Sequence, residues 1–172
     1  MTAFGKAFAI LVGAEGGFTA DPRDPGNWTG GSCGVGECRG TRWGISAASY
    51  PKVDIARLTL DDAKAIYRRD YWTPIRGDEL PPGLALLVFD AAVNNGVGQA
   101  VRWLQAAVGV AADGRLGEVS MAAVRRASLP DLLVEFQASR LLAMTSLPTW
   151  ATFGRGWARR LCRLPYQAVA MG

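Results

Sequence analysis

Residues 2–17 read TAFGKAFAILVGAEGG, and residues 18–31 continue FTADPRDPGNWTGG. The first stretch predicts a helix from Thr2 to Ala14, because Phe4, Phe8, Leu11 and Val12 recur on one helical face. Gly16-Gly17 supplies a stop signal. Glu15 follows Leu11 by four positions, so it extends the apolar face at the end of the helix. Burial there disfavours a carboxylate, and so does the negative end of the helix dipole. A general acid that keeps its proton near neutral pH needs those surroundings. The alternative is a Glu that caps the following loop or pairs with an Arg.

Outward from this stretch, Phe18 to Ile45 reads as a long loop rich in Gly, Pro, Asp and Thr, with room for short strands around a turn. Phe18, Trp28, Val35, Trp43 and Ile45 argue that it is ordered. Helices are then predicted over Leu60 to Tyr71, from Pro81 or Pro82 to Asn94-Asn95-Gly96, and over Gly98 to Val108. Asp113-Gly114 reads as a turn. Ser120 to Ala127 and Asp131 to Thr145 are further helices, and Trp157 to Cys162 begins or continues a last one. The class is mostly α, a helical bundle with one irregular lobe near the N-terminus.

Composition narrows the chemistry. The 172 residues, 49% of them hydrophobic, suffice for a real core. There is no histidine, which removes Ser-His-Asp and Cys-His catalysis as usually built and most catalytic zinc sites. Carboxylates, hydroxyls, Lys, Tyr and Arg remain, and no cofactor or metal is called for. The net charge of +4 and a pI near 9.3 suit a polyanionic partner such as a bacterial wall. No basic helix with interleaved aromatics points to nucleic acid. The apolar run from Ala7 to Val12 is far too short for a membrane span and makes a poor signal peptide.

Asp24 lies nine residues after Glu15, and hydroxyls follow at Thr29 and Thr41. Cleaving a glycosidic bond needs one carboxylic acid to protonate the leaving oxygen. A second carboxylate, helped by a hydroxyl, then orients a water or stabilises the oxocarbenium ion. Asp24 also reads simply as a turn residue, since Asp24-Pro25-Gly26 is a strong turn signal.

The ordered set of motifs is similar to one known family. Residues 15–31 resemble the signature of the glycoside hydrolase 108 family, N-acetylmuramidases of bacteriophages, gene transfer agents and bacterial secretion loci. The resemblance continues through GTRWGIS (40–46), DDAKAIYRRDYW (61–72), LPPGLALLVFDAAVNNGVGQAVRWLQ (80–105) and FGRGWARR (153–160). A helix-terminal Glu, a loop Asp and a Thr on the returning chain is also the order of phage-type lysozymes. The resemblance implies Glu15 as catalytic acid, a lysozyme-like fold, and cleavage of the β-1,4 bond between N-acetylmuramic acid and N-acetylglucosamine. It implies a catalytic region over 1–92 and a peptidoglycan-binding helical region over 93–172, packed as one globular unit. Two departures stand out. The segment NWTGGSCGVGECRG (27–40) is inserted between turn and Thr-x-x-Gly-Ile element, which leaves Thr29 and Thr41 both open as hydroxyl partner, with Thr41 favoured by its neighbours. Gly117-Glu118-Val119-Ser120 replaces the family's Gly-Pro-x-Thr.

Other positions carry two readings each. Asp90 and Asn94 share a face of an apolar helix, so they line a sugar cleft or form a buried hydrogen-bonded pair, the latter favoured. Trp43, beside the catalytic candidates, suits stacking on a sugar; Trp72 suits the core. Cys33 and Cys38 either close a small disulfide in an oxidising compartment or stay free. Cys162 is expected to be buried in the last helix. Arg159, Arg160 and Arg163 read as a solvated basic face. The insertion reads as an ordered flap beside the cleft. Synthesis in the cytoplasm without a signal peptide is expected, with release to the wall through an export partner such as a holin. The competing functions are a lytic transglycosylase using the same Glu and a non-catalytic peptidoglycan-binding module.

Overall fold

The computed structural model describes residues 1–13 and 17–171, so the predicted acid Glu15 lies outside the described residues. Seven α-helices are present among them: α1 (Ala3–Val12), α2 (Leu60–Tyr67), α3 (Pro82–Asn95), α4 (Val97–Ala107), α5 (Glu118–Arg126), α6 (Leu129–Thr145) and α7 (Trp150–Val169). One two-stranded antiparallel sheet pairs β1 (Thr41–Arg42) with β2 (Ile45–Ser46). The fold is mostly α and lysozyme-like, as the sequence predicts. No helix among the described residues is long and apolar enough to cross a membrane.

The chain forms two compact units, residues 8–68 and residues 1–7 with 69–172. The expected boundary at 92/93 falls inside α3, within the larger unit.

The larger unit is built on α3. Every residue from Gly83 to Ala92 is buried, and the only charge among them is Asp90. A helix apolar on all sides belongs at the centre of a bundle. α4, α6 and α7 pack against α3, and α6 packs against both α4 and α7. Phe4, Trp72 and Phe89 meet edge to face, with Trp72 in the core as predicted. Gln105, also buried, holds the Asp113-Gly114 turn: its Nε2 donates to Asp113 Oδ1 (2.7 Å) and its Oε1 accepts from Gly114 N–H (2.9 Å).

Helix ends depart from the sequence reading for local reasons. α1 stops at Val12 because Gly13 turns left-handed (φ 72°) and its N–H closes on Ala9 O. α2 starts in a capping box between Thr59 and Asp62, then widens into a π-helical turn over Arg68–Trp72. α7 runs past Cys162 to Val169 with Pro165 inside it. Pro165 has no N–H, so the Leu161 carbonyl lacks its helical donor. Gln137 Nε2, from α6, donates to that carbonyl at 3.0 Å. Cys162 is exposed, contrary to expectation, because it lies on α7's outer face.

Candidate active site

The smaller unit is organised by Asn27, whose side chain is wholly buried. Asp24 Oδ1 accepts from Gly26 N–H at 2.8 Å and caps a 3-10 turn over Pro25–Asn27, as the Asp-Pro-Gly signal predicts. The turn carries Asn27 inward. Its Nδ2 donates to Asp21 O (3.0 Å) and its Oδ1 accepts from Thr41 Oγ1 (2.7 Å). Its carbonyl accepts from Arg39 N–H (2.9 Å) and Gly40 N–H (3.0 Å). One residue thus ties the Asp-rich turn, the end of the inserted segment and β1 together.

Thr41 is fixed on several sides. Its backbone exchanges hydrogen bonds with Thr19 (2.8 and 3.0 Å), and it pairs with Ser46 across the hairpin. The hairpin turn is Trp43-Gly44, both with positive φ (54° and 74°), as a two-residue type I′ turn demands. A Cβ at Gly44 would meet the Tyr67 hydroxyl at 2.5 Å, so close packing also selects Gly there. Tyr67 Oη donates to Trp43 O at 3.2 Å. Trp43 is half-buried, and its indole N–H is buried without a partner among the described residues.

The inserted segment is an ordered hairpin-like loop. Trp28 bridges to Cys38, Thr29 N–H donates to Glu37 O, and Gly30 N–H donates to Val35 O. The Thr29 hydroxyl accepts from Glu37 N–H at 2.9 Å, so it closes the loop on itself. Cys33 and Cys38 are free thiols. Beside the base of this loop is an open cavity of roughly 440 Å³ lined by Phe18, Cys38, Arg39, Lys52, Asp54 and Ile55. Arg23 beside Asp21 holds that carboxyl below its ordinary value.

Asp24, Thr29, Thr41 and Trp43 therefore fall in one unit. Asp24 is exposed, and among the described residues only its Oδ1 is engaged.

Asp90 and Asn94 belong to the other unit. Asp90 is wholly buried between two arginines: Oδ2 takes Arg140 Nη1 at 2.6 Å, and Oδ1 takes Arg160 Nε at 2.8 Å and also Arg160 Nη2. Asn94 Nδ2 donates to the Asp90 carbonyl at 2.7 Å. Arg140 Nε donates to Asn95 Oδ1 at 3.0 Å. Burial pushes the Arg140 guanidinium below its ordinary value; Asp90 opposes that shift and Arg160 adds to it. Arg160 reaches Asp90 with a side chain that remains 43% exposed to solvent.

Asn27 and Arg140 are the residues the sequence reading missed. Asn27 had one signal, its place directly after Asp-Pro-Gly. Arg140 had none, since its partner lies 50 residues away; Arg160 was singled out in the FGRGWARR motif and the basic face, but its partner, 70 residues away, was not.

The architecture and the matched segments define a class: a lysozyme-like, mostly helical glycoside hydrolase acting on peptidoglycan. Residues 8–96 match the family described as glycosyl hydrolase 108. The solved structure of SagA from Brucella abortus is similar at a TM-score of 0.80 and 34% identity, covering 98% of this chain and 94% of that one. No curated protein matches the chain. The chain belongs to the glycosyl hydrolase 108 family.

Proposed function

We propose that the protein is a muramidase that hydrolyses the β-1,4 bond between N-acetylmuramic acid and N-acetylglucosamine with inversion. Glu15 protonates the glycosidic oxygen. A water attacks the anomeric carbon from the opposite face, and its proton passes to Asp24. Thr41 orients that water.

The observation that carries this reading is the polarity of the Thr41 hydroxyl. It donates to Asn27 Oδ1, so its lone pairs are left to accept a hydrogen from water. A water that donates to Thr41 keeps its own lone pair for attack. The Thr29 hydroxyl has the opposite bias. It already accepts from Glu37 N–H, and a water it donated to would lose a nucleophilic lone pair. Asp24 Oδ2 has no partner among the described residues, which suits a proton acceptor. Trp43 offers a half-buried ring for a sugar face, and Thr29 borders the substrate from the inserted loop. Asn94 contacts the substrate from the helical region, where Asp90 acts by holding two arginines. Residues 1–92 carry the cleavage and 93–172 the wall binding. The enzyme reaches the wall from the cytoplasm through an export partner such as a holin.

Glu15→Gln tests the acid. It should keep the fold and lower lysis of purified peptidoglycan on the order of 10²–10⁴-fold. A folded Glu15→Gln protein lysing at the wild-type rate would refute the assignment. Mass spectrometry of the products separates hydrolysis, which leaves reducing ends, from transglycosylation, which leaves anhydro ends. NMR of the first product reads the anomeric configuration.

A further inference from the structure

Beside the buried Asp90 lies a cavity of roughly 300 Å³ in the helical unit, lined by Asn94, Asn95, Arg140, Thr149, Trp157 and Arg160 among others. We propose that this cavity binds the carboxylate end of a short peptide with small apolar side chains, the chemistry of a peptidoglycan stem peptide, as a holding site distinct from the residues of cleavage. The inference rests on peptidoglycan being the substrate and adds which part of it the helical region grips.

The charge balance carries the argument. Two arginines face one carboxylate, and no acidic residue lines the cavity, so the site holds one unbalanced positive charge. Buried Arg140 is paired with Asp90, so the surplus charge sits on Arg160, whose side chain is 43% exposed and open to a ligand. Arg140 donates through Nε and Nη1, while Arg160 donates through Nε and Nη2. Arg140 Nη2 and Arg160 Nη1 therefore have no hydrogen-bond acceptor among the described residues. Guanidinium groups pair with planar carboxylates through such paired donors.

The rest of the lining fits the body of a peptide. Met144, Leu147 and Leu161 give an apolar side for methyl groups. Asn94 and Thr149 offer a donor and acceptor set for peptide amides. Trp157 stands at the edge of an aromatic cluster with Trp150 (6.1 Å) and Phe153 (5.9 Å), a surface along which an attached glycan would run. The volume is at the lower end of small-ligand sites, which suits a chain end better than a whole saccharide.

The test is calorimetric titration of the full chain with N-acetyl-D-alanyl-D-alanine, its C-terminal amide, N-acetylglucosamine trimer and inorganic phosphate. The peptide has no glycosidic bond, so its binding is read independently of cleavage. A failure at Glu15 leaves this measurement untouched. The acid should bind saturably and the amide about tenfold or more weakly. Arg160→Gln should weaken binding similarly. Thr149→Trp, at an exposed rim position, should block the cavity with the fold intact, and it keeps the test decisive if Arg160→Gln fails to fold. Equal affinity for acid and amide, wild-type binding by Thr149→Trp, no saturable binding, or displacement of the peptide by phosphate at equal concentration would each overturn the proposal.

Discussion

Removing the Asn27 side chain tests whether the smaller unit is held as described. Asn27→Ala deletes two hydrogen bonds, one to the Asp21 carbonyl and one from the Thr41 hydroxyl. Each is worth about 1 kcal/mol net, and abandoning a part-buried group adds about 1 kcal/mol more at one or both ends. The loss should total roughly 2–4 kcal/mol, within the ~5–15 kcal/mol of a typical domain, so the protein stays folded. At this chain length about 1 kcal/mol moves Tm by roughly 2–4 °C, and the expected fall is on the order of 5–15 °C. Asn27→Asp should be at least as damaging, because it keeps the acceptor for Thr41 but sets a buried anion against the Asp21 carbonyl.

The functional part of the reasoning needs a cycle. Thr41→Val removes the hydroxyl that Asn27 receives, so Asn27→Ala and Thr41→Val should couple by about 1 kcal/mol in urea melts. In the proposed mechanism Asn27 acts through Thr41 as a positioning residue. Lysis by Asn27→Ala, assayed well below its Tm, should therefore fall towards the level of Thr41→Val, on the order of 10²-fold for a displaced group. Adding Asn27→Ala to Thr41→Val should then cost little further activity. Strict additivity in stability, or full lysis by Asn27→Ala, would refute the claim that Asn27 sets the hydroxyl.

Three further outcomes follow from the contacts. Replacing residues 30–36 by an Asn-Gly turn, with Thr29 still bonded to Glu37, should shift Tm by only a few degrees while changing lysis; unfolding would make the loop part of the core. Gln137→Met should destabilise by about 1–2 kcal/mol, because it strands the carbonyl that Pro165 leaves open; adding Pro165→Ala should recover most of that loss, and additive urea melts would contradict the link. The carboxyls of Asp21, Asp62, Glu79 and Asp113 all lie below their ordinary 3.8 (4.5 for Glu79), through bonds from Arg23, Thr59, Arg76 and Gln105 respectively. Depressed folded-state values give stability that is full above the unfolded values and is lost as pH falls through the folded ones, so Tm should hold from pH 7 to about 5 and decline towards pH 2; a rise in Tm across that fall would oppose the assignment.

Local signals in this sequence were legible, and pairings across distance were not. The apolar run ending in Asn94-Asn95-Gly96 predicted α3 to within a residue or so, and Asp24-Pro25-Gly26 predicted its turn. The inserted segment read as an ordered flap, yet its first residue, Asn27, proved to be the buried tie of the unit. Nothing in one-dimensional patterning separates an Asn that faces water from one that faces a Thr fourteen residues on. The last helix, expected over Trp157 to Cys162, continues through Pro165, and the donor for the carbonyl that Pro165 leaves open comes from another helix. The last third of the expected Leu60–Tyr71 helix is a π turn, a change of hydrogen-bond register that apolar spacing does not encode.

Asp24 and Asp90 looked alike in the sequence, each an acidic residue within a family-like motif. Their surroundings now separate them by what each carboxylate is free to do. Both oxygens of the wholly buried Asp90 are held by guanidinium groups. Taking up a proton there would strand two arginines, one of them buried, at a cost larger than acid–base catalysis tolerates. Asp90 is therefore suited to locking α6 and α7 onto α3 through Arg140 and Arg160. Asp24 spends one oxygen on a neighbouring amide and presents the other at an exposed turn. It can accept a proton without breaking the structure that carries it. The proposed mechanism therefore assigns proton transfer to the Asp24 turn and the Thr41 hairpin, and leaves fixed positive charge to the helical region.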